Sequence, residues 1–508
     1  MTTRPRTLTA LSMTTLVAAL SAGCGASYPA GRESIAVAPT SYADAGDVKS
    51  STEDYKDYGV NPFVDTAKDK LSTFAIDVDT ASYSISRRKL NEGALPPQAA
   101  VRVEEFVNAF DYGYEGPKDN KPFHVELAAA PSPFNAQQHL LRVGLQAKRT
   151  QHGQRMPAHL VYLVDTSGSM QSPDKIGLVK ESLRLLTDNL QQGDTVAICT
   201  YAGDTREVLA PTGIDKRSTI LDAIDQLTAG GGTAMSSGID TAYSLASKTL
   251  VKGHINRVIV LSDGDANIGP SSHEEILRQI EQYKAQGITL STVGFGDGNY
   301  KDTMMEQLAD KGDGNYSYID SSDQARKVFG EALDGMLEVV ARDVKVQVEF
   351  DPSLVQRYRL IGYENRDVAD NSFRDDKVDG GEVGAGHSVT ALYAIELAPQ
   401  AKPGSLVTVR VRYKLEAGGQ AEEISVPMAT ESFASRFDDA PRSFRLAAAI
   451  AGFADALRGA KGAPGLDQVR EVAGKAAGQS ADEAELVGLV DKAISLGGAG
   501  SVAVTAAD

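Results

Sequence analysis

The chain has 508 residues, enough for about three or four domains, and its 42% hydrophobic and 23% charged content lets most of it bury a core. With 51 basic against 68 acidic residues the formal charge is −17, which argues against nucleic acid or an anionic membrane surface as the main partner, since phosphate binding needs basic surface. Two cysteines exclude a disulfide scaffold or a cysteine-rich zinc site, and the absence of Trp, with only 6% aromatic residues, argues against a stacking platform for single strands or sugars.

The N-terminus reads as an address. Arg4 and Arg6 precede an uncharged stretch containing Leu11, Met13, Leu16, Val17 and Leu20, which ends in Ser21-Ala22-Gly23-Cys24. This stretch is too short for a stop-transfer helix, so residues 1–24 are expected to be an export signal. Small residues followed by Cys24 resemble the bacterial lipobox. That resemblance implies that Cys24 carries lipid and becomes the first mature residue. Ser21 departs from the Leu most common at its place, and an ordinary signal peptide with an incidental Cys is the alternative. Gly25 is not the Asp that resembles an inner-membrane retention signal, so an outer-membrane anchor is implied in a cell with two membranes. Cys199 is then without a partner, and its apolar run Val196-Ala197-Ile198-Cys199 predicts a buried, inert thiol.

Residues 25–70 are rich in Ser, Ala, Gly, Asp and Lys and read as a flexible tether. Over 71–120 a short strand at Phe74–Asp79 is followed by two helical patterns, one with Tyr83, Ile85 and Leu90, the other with Val101, Val103, Phe106, Val107 and Phe110. Two-residue alternation then takes over at Phe123, Val125 and Leu127 and at Leu141, Val143 and Leu145. It returns at Val344–Phe350, Val389–Leu397 and Val407–Leu415. These predict half-buried antiparallel strands, and residues 121–147 plus 339–428 are expected to build one β-sandwich.

Between these stretches, over 158–337, the pattern is α/β. Continuous apolar runs at Leu160–Val164, Val196–Ile198, Val258–Leu261 and Ile288–Val293 alternate with amphipathic helices, the first carrying Ile176, Val179, Leu183, Leu186 and Leu190 on one face. Fully apolar strands alternating with helices predict a parallel sheet covered on both faces, inserted into the sandwich. Residues 430–496 turn helical, with a stripe of Phe444, Ala447, Ile450, Ala451, Ala454 and Leu457 and two shorter helices near 466–476 and 481–495.

The first apolar run ends in Asp165-Thr166-Ser167-Gly168-Ser169, an Asp-x-Ser-x-Ser at the C-terminal end of a strand, the edge where open α/β sheets take their ligands. Gly230-Gly231-Gly232-Thr233 and Ser262-Asp263 should reach the same edge. Two carboxylates and three hydroxyls are hard oxygen donors, which suit Mg²⁺ or Mn²⁺ with about six oxygen ligands and leave a position for an outside carboxylate.

Asp165, Ser167, Ser169, Thr233 and Asp263 resemble the complete metal-ion-dependent adhesion site of von Willebrand factor type A domains, the fold of integrin I domains. The resemblance implies a Mg²⁺ (or Mn²⁺) ion, an acidic residue of a protein partner as its last ligand, and no catalysis. A site whose metal is only structural, in an envelope assembly protein, is the alternative. Domains of the integrin kind move their last helix when ligand joins the metal; here that helix would include Val328, Leu333 and Leu337. Thr73–Tyr83, Arg87-Arg88, Ala100–Phe106, Met304–Ala309 and Gly314-Asn315-Tyr316 further resemble bacterial YfbK-like lipoproteins with a von Willebrand A domain, a likeness that covers about 70–495 and implies architecture better than activity.

Other patterns compete for some residues. Asp77-x-Asp79 after an apolar strand is similar to the nucleophile motif of haloacid-dehalogenase-type phosphatases, but Ala81 stands where Thr or Val is wanted. Helix capping or a pair with Arg87 or Arg88 is the structural alternative. Asp263-x-Asp265-x-Asn267 with Glu274 resembles a calcium loop, yet Ile268 sits where an EF-hand needs Gly. Walker A, Gly-x-Ser-x-Gly and His-Glu-x-x-His motifs are absent from the sequence.

Overall fold

A computed structural model describes residues 52–119, 121–150, 154–265, 270–399 and 402–497. The expected export signal, Cys24 and the first part of the expected tether lie outside the described residues. The chain begins with β1 (Val64–Asp65), β2 (Leu71–Ala75), α1 (Ala81–Asn91), α2 (Val103–Asn108), β3 (Phe123–Pro131) and β4 (His139–Ala147). An α/β module follows: β5 (Ala158–Asp165), α3 (Leu178–Asp188), β6 (Thr195–Tyr201), β7 (Thr205–Gly213), α4 (Arg217–Asp225), α5 (Met235–Lys248), β8 (Ile255–Ser262) and α6 (Pro270–Lys284). It continues through β9 (Thr289–Phe295), α7 (Asp302–Lys311), β10 (Tyr316–Ile319), α8 (Ser322–Arg326) and α9 (Leu333–Leu337). The remainder comprises β11 (Val339–Phe350), β12 (Val355–Ile361), β13 (Gly381–Gly384), β14 (Ser388–Leu397), β15 (Ser405–Lys414) and β16 (Ala421–Ala429), then α10 (Arg442–Leu457), α11 (Leu466–Ala476) and α12 (Ala481–Ser495).

The α/β module is a six-stranded sheet in the order β10-β9-β8-β5-β6-β7, parallel except for β7 at one edge. Every residue of β5 is buried because helices cover both faces. Alternation divides the strand: Leu160, Tyr162 and Val164 pack with α3, α4 and the last helices, while Val161 and Leu163 pack with α5 and α6. Cys199 of β6 is a free, buried thiol whose pKa burial pushes up to about 12, so it is inert. The last helix comes in three pieces, α8, a π-helical turn at Lys327–Glu331 and α9, with Val328, Leu333 and Leu337 all buried. It leads straight into β11. Beside it a cavity of about 530 Å³ opens between α1, the α/β module and the strands, lined by Tyr83, Arg87, Gln324, Met336 and His387.

Two antiparallel sheets make the sandwich. One has the order β1-β12-β14-β4-β3, the other β13-β11-β15-β16, with β2 also paired to β11. Leu141, Val143 and Leu145 of the first sheet share a core with Val346, Val348, Phe350, Val407, Val409 and Val411 of the second. Strand β14 is not half-buried as its alternation suggests. Val389, Ala391, Tyr393 and Ile395 face the sandwich core, but Leu392 and Ala394 enter a second core with α2 and α10. The helical layer covers the face that would otherwise meet water.

The N-terminal part departs from expectation in two ways. The strand expected at Phe74–Asp79 is found as β2, Leu71–Ala75, and it belongs to the sandwich, paired with Lys345–Glu349 of β11, outside the stretches 121–147 and 339–428. Residues 52–70 are packed chain where composition reads as tether. Glu53 holds Arg88 and Lys89 at 2.8 and 2.7 Å, Asn61 Nδ2 donates to Gly362 O at 2.8 Å, and β1 pairs with β12. Small and charged residues look solvated in sequence because their partners lie far along the chain, 35 positions on for Arg88 and 301 for Gly362.

Buried ions join the α1–α2 region to the α/β module. Arg102 donates to Asp302 Oδ2 at 2.6 Å and pairs with Glu105, and all three are at most 4% exposed. Arg366 holds Asp77 at 3.1 Å, Asp79 at 3.6 Å and Asp310 at 2.9 Å. Arg366, in place of Arg87 or Arg88, is the cation paired with Asp77 and Asp79, and Thr80 stands at the N-cap of α1. Breaking one such buried pair leaves an uncompensated charge, a loss of about 3–5 kcal/mol.

Glu104 differs from these pairs. It is 1% exposed and accepts from Tyr363 N at 2.8 Å. Burial pushes its carboxyl up to about 7 from 4.5, with the charges of Glu364 and Asp77 adding to the rise. Above its unfolded value the folded chain keeps a proton that the unfolded chain releases. The stability due to this proton is complete at low pH and is lost as pH rises through about 7. The melting temperature of Glu104→Gln should fall less steeply than that of the wild type between about pH 5 and about pH 8.5. Equal slopes in a pH series of thermal melts would contradict this assignment.

Candidate metal centre

Asp165 ends β5 and is completely buried. Its Oδ1 accepts from Ser167 N at 2.8 Å, so the chain turns sharply over the carboxylate and returns Ser167 and Ser169 to the same side, their hydroxyl oxygens 3.0 Å apart. Ser262 Oγ donates to Asp165 Oδ2 at 2.8 Å, and the Tyr201 hydroxyl lies 3.0 Å from both Asp165 Oδ2 and Ser262 Oγ. Tyr201 is placed by α5: at Gly238 a Cβ would fall 2.8 Å from Tyr201 Cβ, so only glycine lets the helix lie this close.

The Gly-rich loop is stitched to the β5 loop through backbone. Gly230 N donates to Thr166 O at 2.8 Å, and Gly168 N donates to Gly231 O at 3.0 Å. A Cβ on Gly168 would stand 3.3 Å from Gly231 O. Thr233, three residues after Gly230, is half-buried. Just past the end of β8, Asp263 is also fully buried. Its Oδ1 accepts from Asp265 N at 3.0 Å, and its Oδ2 accepts from Lys175 Nζ at 3.0 Å and from Asn299 Nδ2 at 3.2 Å.

Burial pushes the Asp165 carboxyl above the usual carboxylate range. Hydrogen bonds from Ser167 oppose this and the nearby charge of Asp263 adds to it. Two carboxylates close enough to repel, with serine hydroxyls gathered beside one of them, form a donor set that fits a hard divalent cation. Asp165, Ser167, Ser169, Thr233 and Asp263 are the residues that would hold it. Tyr201, Lys175 and Asn299 escaped the sequence reading, which placed Ser262 at this edge without seeing its bond to Asp165. Ser262 and Tyr201 end strands beside β5, a signal that topology could have offered, but nothing local marks Lys175 or Asn299.

A second acidic group, Asp313, Asp379 and Glu382, lies elsewhere. Lys284 sits 2.7 Å from Asp313 and 3.5 Å from Asp379, and Arg342 sits 3.6 Å from Asp313, so the chain's own cations answer these acids. Asp265 of the calcium-loop reading accepts from Asn299 Nδ2 at 2.9 Å, and Asn267 lies outside the described residues.

Known proteins share this architecture. The profile of the von Willebrand factor type A domain matches residues 159–331, one described as von Willebrand factor matches 49–142, and one described as uncharacterized protein YfbK, C-terminal, matches 335–496. Uncharacterized protein YfbK of Escherichia coli (strain K12) is 37% identical over 472 residues, covering 87% of this chain and 81% of that protein. The chain belongs to the YfbK family. Uncharacterized protein sll0103 of Synechocystis is 26% identical over 299 residues, 57% of this chain and 70% of its own length. Among solved structures, a von Willebrand factor type A protein from Catenulispora acidiphila aligns with a TM-score of 0.43 at 19% identity, over 76% of this chain and 91% of its own. In this YfbK-family chain the von Willebrand A domain is the inserted α/β module, and the strands and helices that follow it are the YfbK C-terminal region.

The hydrogen bonds that Tyr201 and Ser262 give to Asp165 fix the orientation of the carboxylate before any ion arrives. Tyr201→Phe should weaken Mn²⁺ binding by roughly tenfold while leaving the fold intact, as read by calorimetric titration and circular dichroism. An unchanged affinity would show that this bond does not orient the ligand.

Proposed function

We propose that the protein is a non-enzymatic, metal-ion-dependent binding module, held on the bacterial envelope by lipid on Cys24, that grips an acidic residue of a partner protein. The observation that carries this reading is the buried Asp165 carboxylate at a strand end with the Ser167 and Ser169 hydroxyl oxygens 3.0 Å apart beside it. Membership of the von Willebrand A fold supports it, since such domains generally mediate protein–protein contacts.

A bound Mg²⁺ or Mn²⁺ would supply a Lewis acid able to take a carboxylate oxygen from outside. The chain's own residues do the rest. Asp165 and Asp263 balance charge, Ser167, Ser169 and Thr233 offer compact neutral donors, and the stitched loops hold these donors still. In this reading none of these residues acts as nucleophile or general base. Asp77 and Asp79, the pair that invited a phosphatase reading, are buried against Arg366.

Pull-down from envelope extract with the full chain, followed by mass spectrometry, should recover partners in Mg²⁺ and lose them in EDTA and with Asp165→Ala. Partners kept by the folded variant would make the metal purely structural and the protein an assembly component. In a cell with two membranes, Gly25 after Cys24 favours the outer membrane. Cys24→Ser should release the protein from the membrane fraction, and a variant that stays membrane-bound would end the lipid-anchor reading.

A further inference from the structure

Lys175 has no place in the five-residue donor set, yet it reaches into it. It lies in a π-helical turn, Pro173–Gly177, between the Asp-x-Ser-x-Ser loop and α3. Its side chain is only 7% exposed, and its ammonium donates to Asp263 Oδ2 at 3.0 Å and to Asn299 Oδ1 at 2.8 Å. The stem crosses Gly296, whose φ is +75°. A Cβ there would fall 2.1 Å from Lys175 Cε, so the loop after β9 leaves a slot for this side chain. Thr52 and Glu53 pin that loop in turn: Thr52 N donates to Gly298 O at 2.7 Å, and Gly298 N donates to Glu53 Oε1 at 3.0 Å. A flexible surface lysine has no such slot and no such partners. The cation is built in.

We propose that Lys175 is an internal cation of the metal centre, one that loosens the hold on Mg²⁺ or Mn²⁺ and biases the loaded site toward an anionic ligand. This rests on the metal-binding reading above. Within the buried set, Asp165, Asp263 and Lys175 sum to one negative charge. A divalent ion turns that sum to one positive charge, and a carboxylate from outside brings it to neutrality. Without the lysine, the two carboxylates alone would neutralise the ion and leave less attraction for an acid. Asp265 accepts from Asn299 Nδ2 at 2.9 Å and keeps its own charge; it is half-buried, so water screens it and it stands outside this buried set. Coulomb repulsion between an ammonium and a divalent ion sharing one carboxylate is strong at protein interior dielectrics, so the effect on metal affinity is large enough to measure.

The test uses the full chain, Mn²⁺ as the metal and acetate as the carboxylate probe. Calorimetry or electron paramagnetic resonance reads Mn²⁺ affinity, and water-proton relaxation reads acetate on the loaded protein. Lys175→Met keeps the stem in its slot and removes the charge. It should bind Mn²⁺ about tenfold or more tighter than the wild type and acetate several-fold more weakly. Lys175→Gln, which keeps a donor toward Asp263, should move both values in the same direction, and thermal melts in EDTA identify a variant that fails to fold. A lysine that only props the loops predicts the opposite sign, weaker Mn²⁺ binding in both variants, and that result overturns the proposal. Equal affinities overturn it as well. If the wild type binds Mn²⁺, Asp165→Ala does not, and Lys175→Met matches the wild type, the role of Lys175 falls while the metal centre stands. If the wild type ignores Mn²⁺ altogether, both fall.

Discussion

A carboxylate sits at the end of a strand that is buried along its whole length, and the chain arranges itself around that fact. Asp165 is shut away from bulk solvent. Its lone pairs go to the N–H of Ser167, to Ser262 and to the Tyr201 hydroxyl. An anion out of water is costly unless hydrogen-bonded and countered by positive charge. The first need shapes the tight turn that presents Ser167 and Ser169. The second makes the position suitable for a cation. Because β6 and β8 flank β5 in parallel, their C-terminal ends deliver Tyr201, Ser262 and Asp263 to the same edge without further design.

The rest of the protein holds that edge in place. The loop after β9 is pinned from outside by the chain at Thr52–Glu53 and by Arg88, whose Nη1 donates to Gly296 O at 2.6 Å. Helix α7 begins at Asp302, where Arg102 of the N-terminal region is buried against it. The α/β module is therefore not a bead on a string. It leaves the sandwich after β4, returns through α9 directly into β11, and meets the α1–α2 region through the buried ion pair of Arg102 with Asp302.

Much of the fold was legible in the residues. The apolar runs of β5, β6, β8 and β9 and the stripes of α3 and α10 record buried faces, and the alternation of β3, β4, β11, β14 and β15 records which side chains face the sandwich core. Helices were expected near 466–476 and 481–495, where α11 and α12 stand. Other features were hidden because they depend on a second partner. The outer face of β14 alternates like a half-exposed strand and is dry only because α2 and α10 lie on it. Residues 52–70 have the composition of a linker and are ordered by partners near 88, 300 and 360.

By itself the sequence determined the donor chemistry: two carboxylates and three hydroxyls, each at the end of a strand or in a glycine loop, in the order the α/β fold needs. Residue type and local period are properties of short stretches, so they can be read in one dimension. Only the tertiary structure decided what surrounds those oxygens. Lys175 meets Asp263 across 88 positions, and Asn299 meets it across 36, through loops that carry no periodic signal. Coulomb and hydrogen-bond partners are chosen by distance in space, and distance in space is what the packed sheet, not the order of residues, sets.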